Sequence, residues 1–346
     1  MHGEYMRAEI REQPDALERL LADPGPLAEV VRQIRRREPR LVVTVARGSS
    51  DHAATLLRYA VETLTGVPVA SAAPSVLTVY GRRLRLDGAL VVGISQSGES
   101  VDVAEVVAAA RGKGTLTVAV TNNPDSTLAR GADLTVWQHA GVENSVAATK
   151  TYLTQAAIGV LLAARWAGRD DLLEAAATVP DAIRTVLAGL DPVEAAAVRL
   201  THAREATTLG RGYAYATAQE TGLKLSETCA LPTRAFSAAD LLHGPIAAIG
   251  AQAPVVAYAT DDPTLPLVLE TLQKLRAQGA DVIVVSESEA ALALASAPLR
   301  VPAGVTPVLE PLVQIVAGQW LAASLAVARG LDPDTPRGLQ KVTRTR

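Results

Sequence analysis

Three sets of side chains in this 346-residue sequence have the types and spacing to do chemistry. The first is the run Ser95, Gln96, Ser97, Gly98, Glu99 and Ser100, which follows an apolar β-branched stretch and precedes Val103, Val106 and Val107 at helical spacing. Hydroxyls at a strand-to-helix turn, combined with the free N–H groups and positive dipole end of the helix, suit an anion such as a phosphate. An ordinary cap, with Ser100 satisfying the helix start and the other serines solvated, is the alternative. The second set is Glu220, Lys224 and Glu227, which at i, i+4 and i+7 project within one sector of a helix. They make either a surface ion pair with a spare carboxylate or a general acid–base group. The third set is dispersed. Lysine occurs only at positions 113, 150, 224, 274 and 341, arginine supplying nearly all other positive charge. A lysine kept in such a background hints at a position needing a group that can release its proton, although most single lysines are solvated. His243 stands in a loop with Gly244 and Pro245, where a histidine is more often structural than catalytic.

The elements that position these residues repeat. A β-branched run at 41–45 breaks at Arg47, Gly48, Ser49 and Ser50 and enters a helical pattern; a run at 206–209 breaks at Gly210, Arg211 and Gly212 and does the same. The following strands, at 89–94 and 253–259, each lead through a turn into a long helix, and strands at 116–120 and 281–285 are reached through helix-stopping Gly114 and Gly279. Gly48 matches Gly212 and Val92 matches Val256 at an offset of about 164, the length of a duplicated domain and not of a solenoid repeat. Strands alternating with helices, each strand an unbroken apolar run, predict parallel sheets covered on both faces. The expected fold is therefore α/β, two tandem doubly wound parallel-sheet domains. The boundaries are a helical arm at 1–37, a first domain at 38–190 that binds the phosphate, a second at 191–331 that carries the Glu220–Glu227 helix and the His243 loop, and a tail at 332–346. In the second domain the turn equivalent to 95–100 holds Asp261 and Asp262, which would repel a phosphate.

Bulk properties narrow the class. An apolar fraction of 49% and a charged fraction of 20% describe a globular protein, while a net charge of −3 and 3% aromatics give no basis for nucleic acid or an anionic membrane as partner. A single cysteine, Cys229, excludes an internal disulfide, and the charged first eleven residues do not make a signal peptide, so a cytoplasmic protein is expected. The uncharged stretch 312–328 approaches membrane-spanning length but is interrupted by Gln314, Gly318, Gln319 and Ser324, and is expected to be a buried core helix.

Taken in order, the segments 5–14, 48–50, 95–100, 146–150, 220–227, 243–245 and 336–343 resemble the sugar isomerase (SIS) family, in particular the isomerase portion of glutamine:fructose-6-phosphate aminotransferases and their stand-alone deaminase relatives. The resemblance implies that Ser50, Ser95, Gln96, Ser97 and Ser100 hold a sugar phosphate and that Val146 and Ala148 line the sugar. It also implies that Glu227 moves a proton between the first two sugar carbons, with Lys224 and Glu220 beside the substrate. His243 would open the ring from the neighbouring subunit of a homodimer, and Lys341 would form a Schiff base with the open-chain ketose, its tail folding over the site. No metal or other cofactor is required. With no glutaminase portion ahead of the arm, the expected reaction is deamination and isomerisation of glucosamine 6-phosphate to fructose 6-phosphate and ammonia. Synthesis with ammonia supplied elsewhere, cleavage of a fructosamine phosphate, and non-catalytic sugar-phosphate sensing are the alternatives. Ala148, where the aminotransferases usually carry serine, and Arg47 beside Gly48 depart from the family pattern; Arg47 has no role by resemblance.

Overall fold

The computed structural model describes residues 2–112 and 114–341. Met1, Lys113 and residues 342–346 of the tail lie outside them, and with the last of these Val342 and Thr343 of the 336–343 segment. The chain forms two compact units, one made of Asp15–Glu143, Lys150–Ala177 and Gln340–Arg346, the other of Met1–Pro14, Asn144–Thr149 and Thr178–Leu339. They are called the first and second sheet units below.

The first sheet unit is built on β1 (Val42–Val45), β2 (Val69–Ser71), β3 (Leu90–Ser95), β4 (Leu116–Thr121) and β5 (Leu134–Trp137), in the order β2-β1-β3-β4-β5 with every pairing parallel. The central strands β1, β3 and β4 are buried at every position, as β-branched runs covered on both faces must be. One face packs Val43, Val45, Val91 and Ala119 against Val103, Val107 and Leu128. Between the helices Ser49–Thr65 and Lys150–Ala167, Gly159 approaches Leu57 so closely that an added Cβ would stand 2.8 Å from the Leu57 Cβ.

The second sheet unit repeats this plan with β6 (Ala206–Gly210), β7 (Thr233–Ser237), β8 (Pro254–Ala259), β9 (Asp281–Ser286) and β10 (Ala297–Arg300), all parallel, in the order β10-β9-β8-β6-β7. Read from its own first strand this is the same 2-1-3-4-5 arrangement as in the first unit, so the sequence repeat is a structural one. Leu209, Val255, Ala257, Val282 and Val284 pack on Val268, Leu272 and Leu275.

The helix Glu310–Ala328 is the core helix of this second unit. Among the described residues it is the one helix long and apolar enough to cross a membrane, and 89% of its apolar window is buried inside the protein. Gly318 lets Thr221 and Tyr258 close onto it, an added Cβ standing 2.3 Å from each hydroxyl. Its Trp320 donates to Glu194 at 3.1 Å and carries the guanidinium groups of Arg7 and Arg11 over its ring. The predicted arm is three helices, Glu4–Arg11, Gln13–Leu21 and Gly25–Arg37.

Candidate functional site

In a 2-1-3-4-5 sheet the crevice beyond the strand ends lies where the winding reverses, between the first and third strands. In the first sheet unit that is the end of β1 and β3, where residues 47–50 and 95–100 sit. Ser95 and Ser50 are buried, whereas Gln96, Ser97 and Ser100 keep partial solvent access. The turn is tied together from within. Ser95 Oγ accepts from Gly98 N–H and Ser97 Oγ from Glu99 N–H, both at 3.2 Å, while the Gln96 carbonyl accepts from Asn122 N–H at 3.0 Å. Gly98 has φ 67°, and a Cβ there would fall 2.0 Å from Ser126 Oγ, so only glycine fits. Glu99, the one carboxylate in the turn, is engaged by Thr127 through both N–H and Oγ1.

Ser100 occupies the N-cap position of the helix Val101–Ala110, yet its side chain makes no capping bond. Val103 N–H goes to Asp102 and Ala104 N–H to the Ser100 carbonyl, while the N–H groups of Val101 and Asp102, at the very start, have no intrahelical partner by geometry. A free hydroxyl and free N–H groups at a helix start favour the anion-binding alternative over simple capping.

The corresponding crevice of the second sheet unit has the opposite character. Asp262 caps the turn by accepting from Thr264 N–H and Oγ1 at 2.7 and 2.6 Å. Nearby, the fully buried Glu310 has its pKa raised to about 8, by burial first and then by the negative charges of Glu287 and Asp262, against hydrogen bonds from Gln314 and the Asp261 backbone. The carboxylates of Asp261 and Asp262 on the turn itself are what disfavour a phosphate in this crevice.

The helix Ala214–Cys229 brings Glu220, Lys224 and Glu227 together, as the spacing predicts. Lys224 Nζ lies 3.4 Å from Glu220 Oε1 and 2.6 Å from Glu227 Oε2. Lys224 and Glu220 are sealed, at 1% and 0% exposure, while Glu227 is 25% exposed. Of the three, then, Glu227 is the group with solvent access. Only the first turn of this helix is at the carboxyl end of the second sheet. Glu227 lies about 20 Å further along the axis, toward the end from which the chain enters β7 at Thr233. His243 is exposed at the end of the short helix Ala238–Leu242, and Gly244 turns the chain after it with φ 132°. No hydrogen bond or ion pair among the described residues joins His243 to the Glu227 cluster.

Lys341 is held by a carboxylate that the sequence did not single out. Its Nζ donates to Glu143 Oε2 at 2.8 Å, and Glu143, fully buried, also accepts from Thr151 N–H at 3.1 Å and Thr151 Oγ1 at 2.7 Å. Thr151 is in the first turn of the helix Lys150–Ala167, so Glu143 is fixed by a helix start and in turn fixes the amine. No short-range pattern signals this, because Glu143 lies well before the helix and its partner is 198 residues away. In the second sheet unit, Val146 and Ala148 are the partly open positions of a segment whose Ser145, Ala147 and Thr149 are buried. That segment is anchored by Glu9 accepting from the Asn144 and Ser145 N–H groups, and by Val146 N–H donating to the Asp334 carbonyl.

Comparison with known proteins gives a consistent result. The SIS domain family matches residues 36–165 and 199–323. The glutamine–fructose-6-phosphate aminotransferase (isomerizing) of Symbiobacterium thermophilum is 35% identical over 359 residues, covering 98% of this chain and 59% of that protein. The chain thus spans under three fifths of the curated relatives it matches. Among solved structures, a candidate phosphosugar isomerase of Silicibacter pomeroyi DSS-3 superimposes with a TM-score of 0.87 at 38% identity, covering 96% of this chain and all of the other. The C-terminal domain of glucosamine-fructose-6-phosphate aminotransferase from Francisella tularensis gives 0.87 at 26% identity, covering 96% and 98%.

Proposed function

The chain belongs to the SIS domain family, and on that premise we propose that it converts glucosamine 6-phosphate and water to fructose 6-phosphate and ammonia. The observation that carries the reading is Glu227, a carboxylate at the solvent boundary whose orientation is fixed by a buried ammonium 2.6 Å away. Such a group is suited to moving a proton between adjacent carbons.

In the proposed sequence the 95–100 turn and Ser50 take the phosphate, Val146 and Ala148 border the sugar, and His243, contributed by the neighbouring copy of a homodimer, protonates the ring oxygen as the hemiacetal opens. Glu227 removes the C2 proton of the open aldehyde, giving an enolamine, and returns a proton at C1, which leaves an imine at C2. The Lys341 amine displaces ammonia from this carbon, and water releases fructose 6-phosphate from the lysine imine. Atoms balance, and the same groups run in reverse when ammonia is supplied. The alanine at position 148, where the aminotransferases usually carry serine, is in keeping with the stand-alone deaminases. The reducing cytoplasm is the expected location.

The test is incubation of the purified protein with glucosamine 6-phosphate while ammonia and fructose 6-phosphate are followed together. Equimolar release, abolished by Glu227→Gln, is expected. Turnover of fructosamine 6-phosphates alone would replace the reading with a deglycase, and tight binding of sugar phosphates without turnover of any would replace it with a sensor.

A further inference from the structure

Arg47 has no part in the sequence assigned above, yet its surroundings are built. The pairing of β1 with β3 sets Val42 to Val45 beside Leu90 to Gly93, and two residues beyond the last pair the chain reaches Arg47 on one side and Ser95 on the other. Its Nε donates to Asp102 Oδ2 at 2.8 Å. Asp102 is 1% exposed, lies in the first turn of the helix that the serine turn opens, and uses its other oxygen on Val103 N–H at 2.9 Å. A buried carboxylate with both oxygens committed thus fixes the guanidinium through its inner nitrogen. The side chain is 53% exposed, so the terminal amino groups are left on the open side. Asp51, in the first turn of the helix Ser49–Thr65, also feels this charge, although burial raises its pKa overall.

The internal repeat shows that this pair is particular to one half. Arg211 stands at the position equivalent to Arg47, but the Asp102 position is taken by Pro266, and among the described residues Arg211 makes no hydrogen bond or ion pair. The half with the serine turn has the anchored arginine; the half with the Asp261–Asp262 turn has it without an anchor. Every other donor in the 95–100 turn is neutral, and hydroxyls and amides discriminate weakly between a monoanion and a dianion. A guanidinium does so strongly, through charge-assisted hydrogen bonds.

We propose that Arg47, oriented by Asp102, is a specificity residue that contacts the bound phosphate and makes this site select the dianionic phosphate monoester. The inference rests on the anion reading of the serine turn. It is tested on the full chain by calorimetric titration with inorganic phosphate and by the kinetics of glucosamine 6-phosphate, at pH values on either side of the second phosphate ionisation. Arg47→Ala is expected to weaken phosphate binding by about ten- to a hundredfold, to raise KM in parallel with little change in kcat, and to flatten the rise in affinity as the dianion forms. Arg47→Lys should restore part of the affinity. Because the single variant leaves Asp102 buried without its partner, Arg47→Ala/Asp102→Asn is the control for folding, and it should show the same loss of affinity. If Ser97→Ala weakens binding while both Arg47→Ala variants bind within twofold of the parent, the serine turn stands and the role of Arg47 falls. If the parent protein binds neither inorganic phosphate nor the sugar phosphate, both fall.

Discussion

Replacing Lys224 by methionine separates the structural from the chemical role of the acid–base helix. The substitution leaves two carboxylates facing the site of the lost ammonium, and Glu220 is fully buried. Removing one partner of a buried ion pair costs roughly 3–5 kcal/mol, because the remaining charge has been taken out of water without compensation. Glu227, 25% exposed, can turn outward and recover some hydration, so the expectation sits near the lower end, about 3 kcal/mol. With a urea dependence of about 2–3 kcal/mol per molar, the midpoint falls by about 1 M. Trp320 lies in the second sheet unit and Trp137 and Trp166 in the first, so urea unfolding followed by fluorescence with the latter two changed to phenylalanine reports the relevant unit. The double variant Lys224→Met/Glu220→Gln leaves no unmatched buried charge and should recover most of the stability. Glu227 is still present in it but no longer oriented, so kcat should remain at least tenfold down. A loss under about 1 kcal/mol in the single variant, or no recovery in the double, would refute the view of Lys224 as a buried counter-ion that aims Glu227.

Lys341→Met should abolish the adduct trapped by borohydride in the presence of fructose 6-phosphate, detected by intact-protein mass spectrometry; Glu143→Gln, which keeps the Thr151 contacts in part but weakens the hold on Lys341, should reduce the trapping rate without eliminating it. Gly98→Ala forces a side chain into the left-handed region and against Ser126, and should lower stability by at least about 2 kcal/mol with loss of phosphate binding, read by thermal melts with and without phosphate. Glu310 binds its proton more tightly in the folded protein, with a pKa raised to about 8, than in the unfolded chain. Its contribution therefore favours folding below about pH 4.5 and is lost progressively as pH rises to about 8, a few kcal/mol at most. Glu310→Gln should match the parent in urea midpoint at pH 5 and exceed it at pH 9; an equal deficit at both would show that the carboxyl is not held protonated.

The duplicated sheets were legible because their signals are local: β-branched runs, glycine stops after helices, and a constant offset between the two halves. The Glu220–Lys224–Glu227 cluster was legible for the same reason, since helix geometry alone joins residues four and seven apart. What the sequence hid depends on contacts between distant segments. Asp334 accepts from the N–H groups of Tyr5 and Met6, and Glu9 accepts from those of Asn144 and Ser145, which ties the first helix and the 144–149 segment into the second sheet unit. A carboxylate bonded to a backbone N–H more than a hundred residues away leaves no periodicity to detect. Glu143 escaped notice in the same way.

The two halves share one topology and so present two crevices of identical origin at the ends of their first and third strands. One is lined by hydroxyls and free N–H groups, with an arginine fixed by a buried aspartate; the other holds Asp262 and a glutamic acid resisting ionisation. On electrostatic grounds the first crevice suits an anion and the second does not. In the second sheet unit it is Glu227, toward the end of the helix Ala214–Cys229, that has the solvent access its buried neighbours lack. Beside that second crevice Glu310 is held protonated by its burial first and by the charges of Glu287 and Asp262 after it, so the core of that unit carries no added buried charge there.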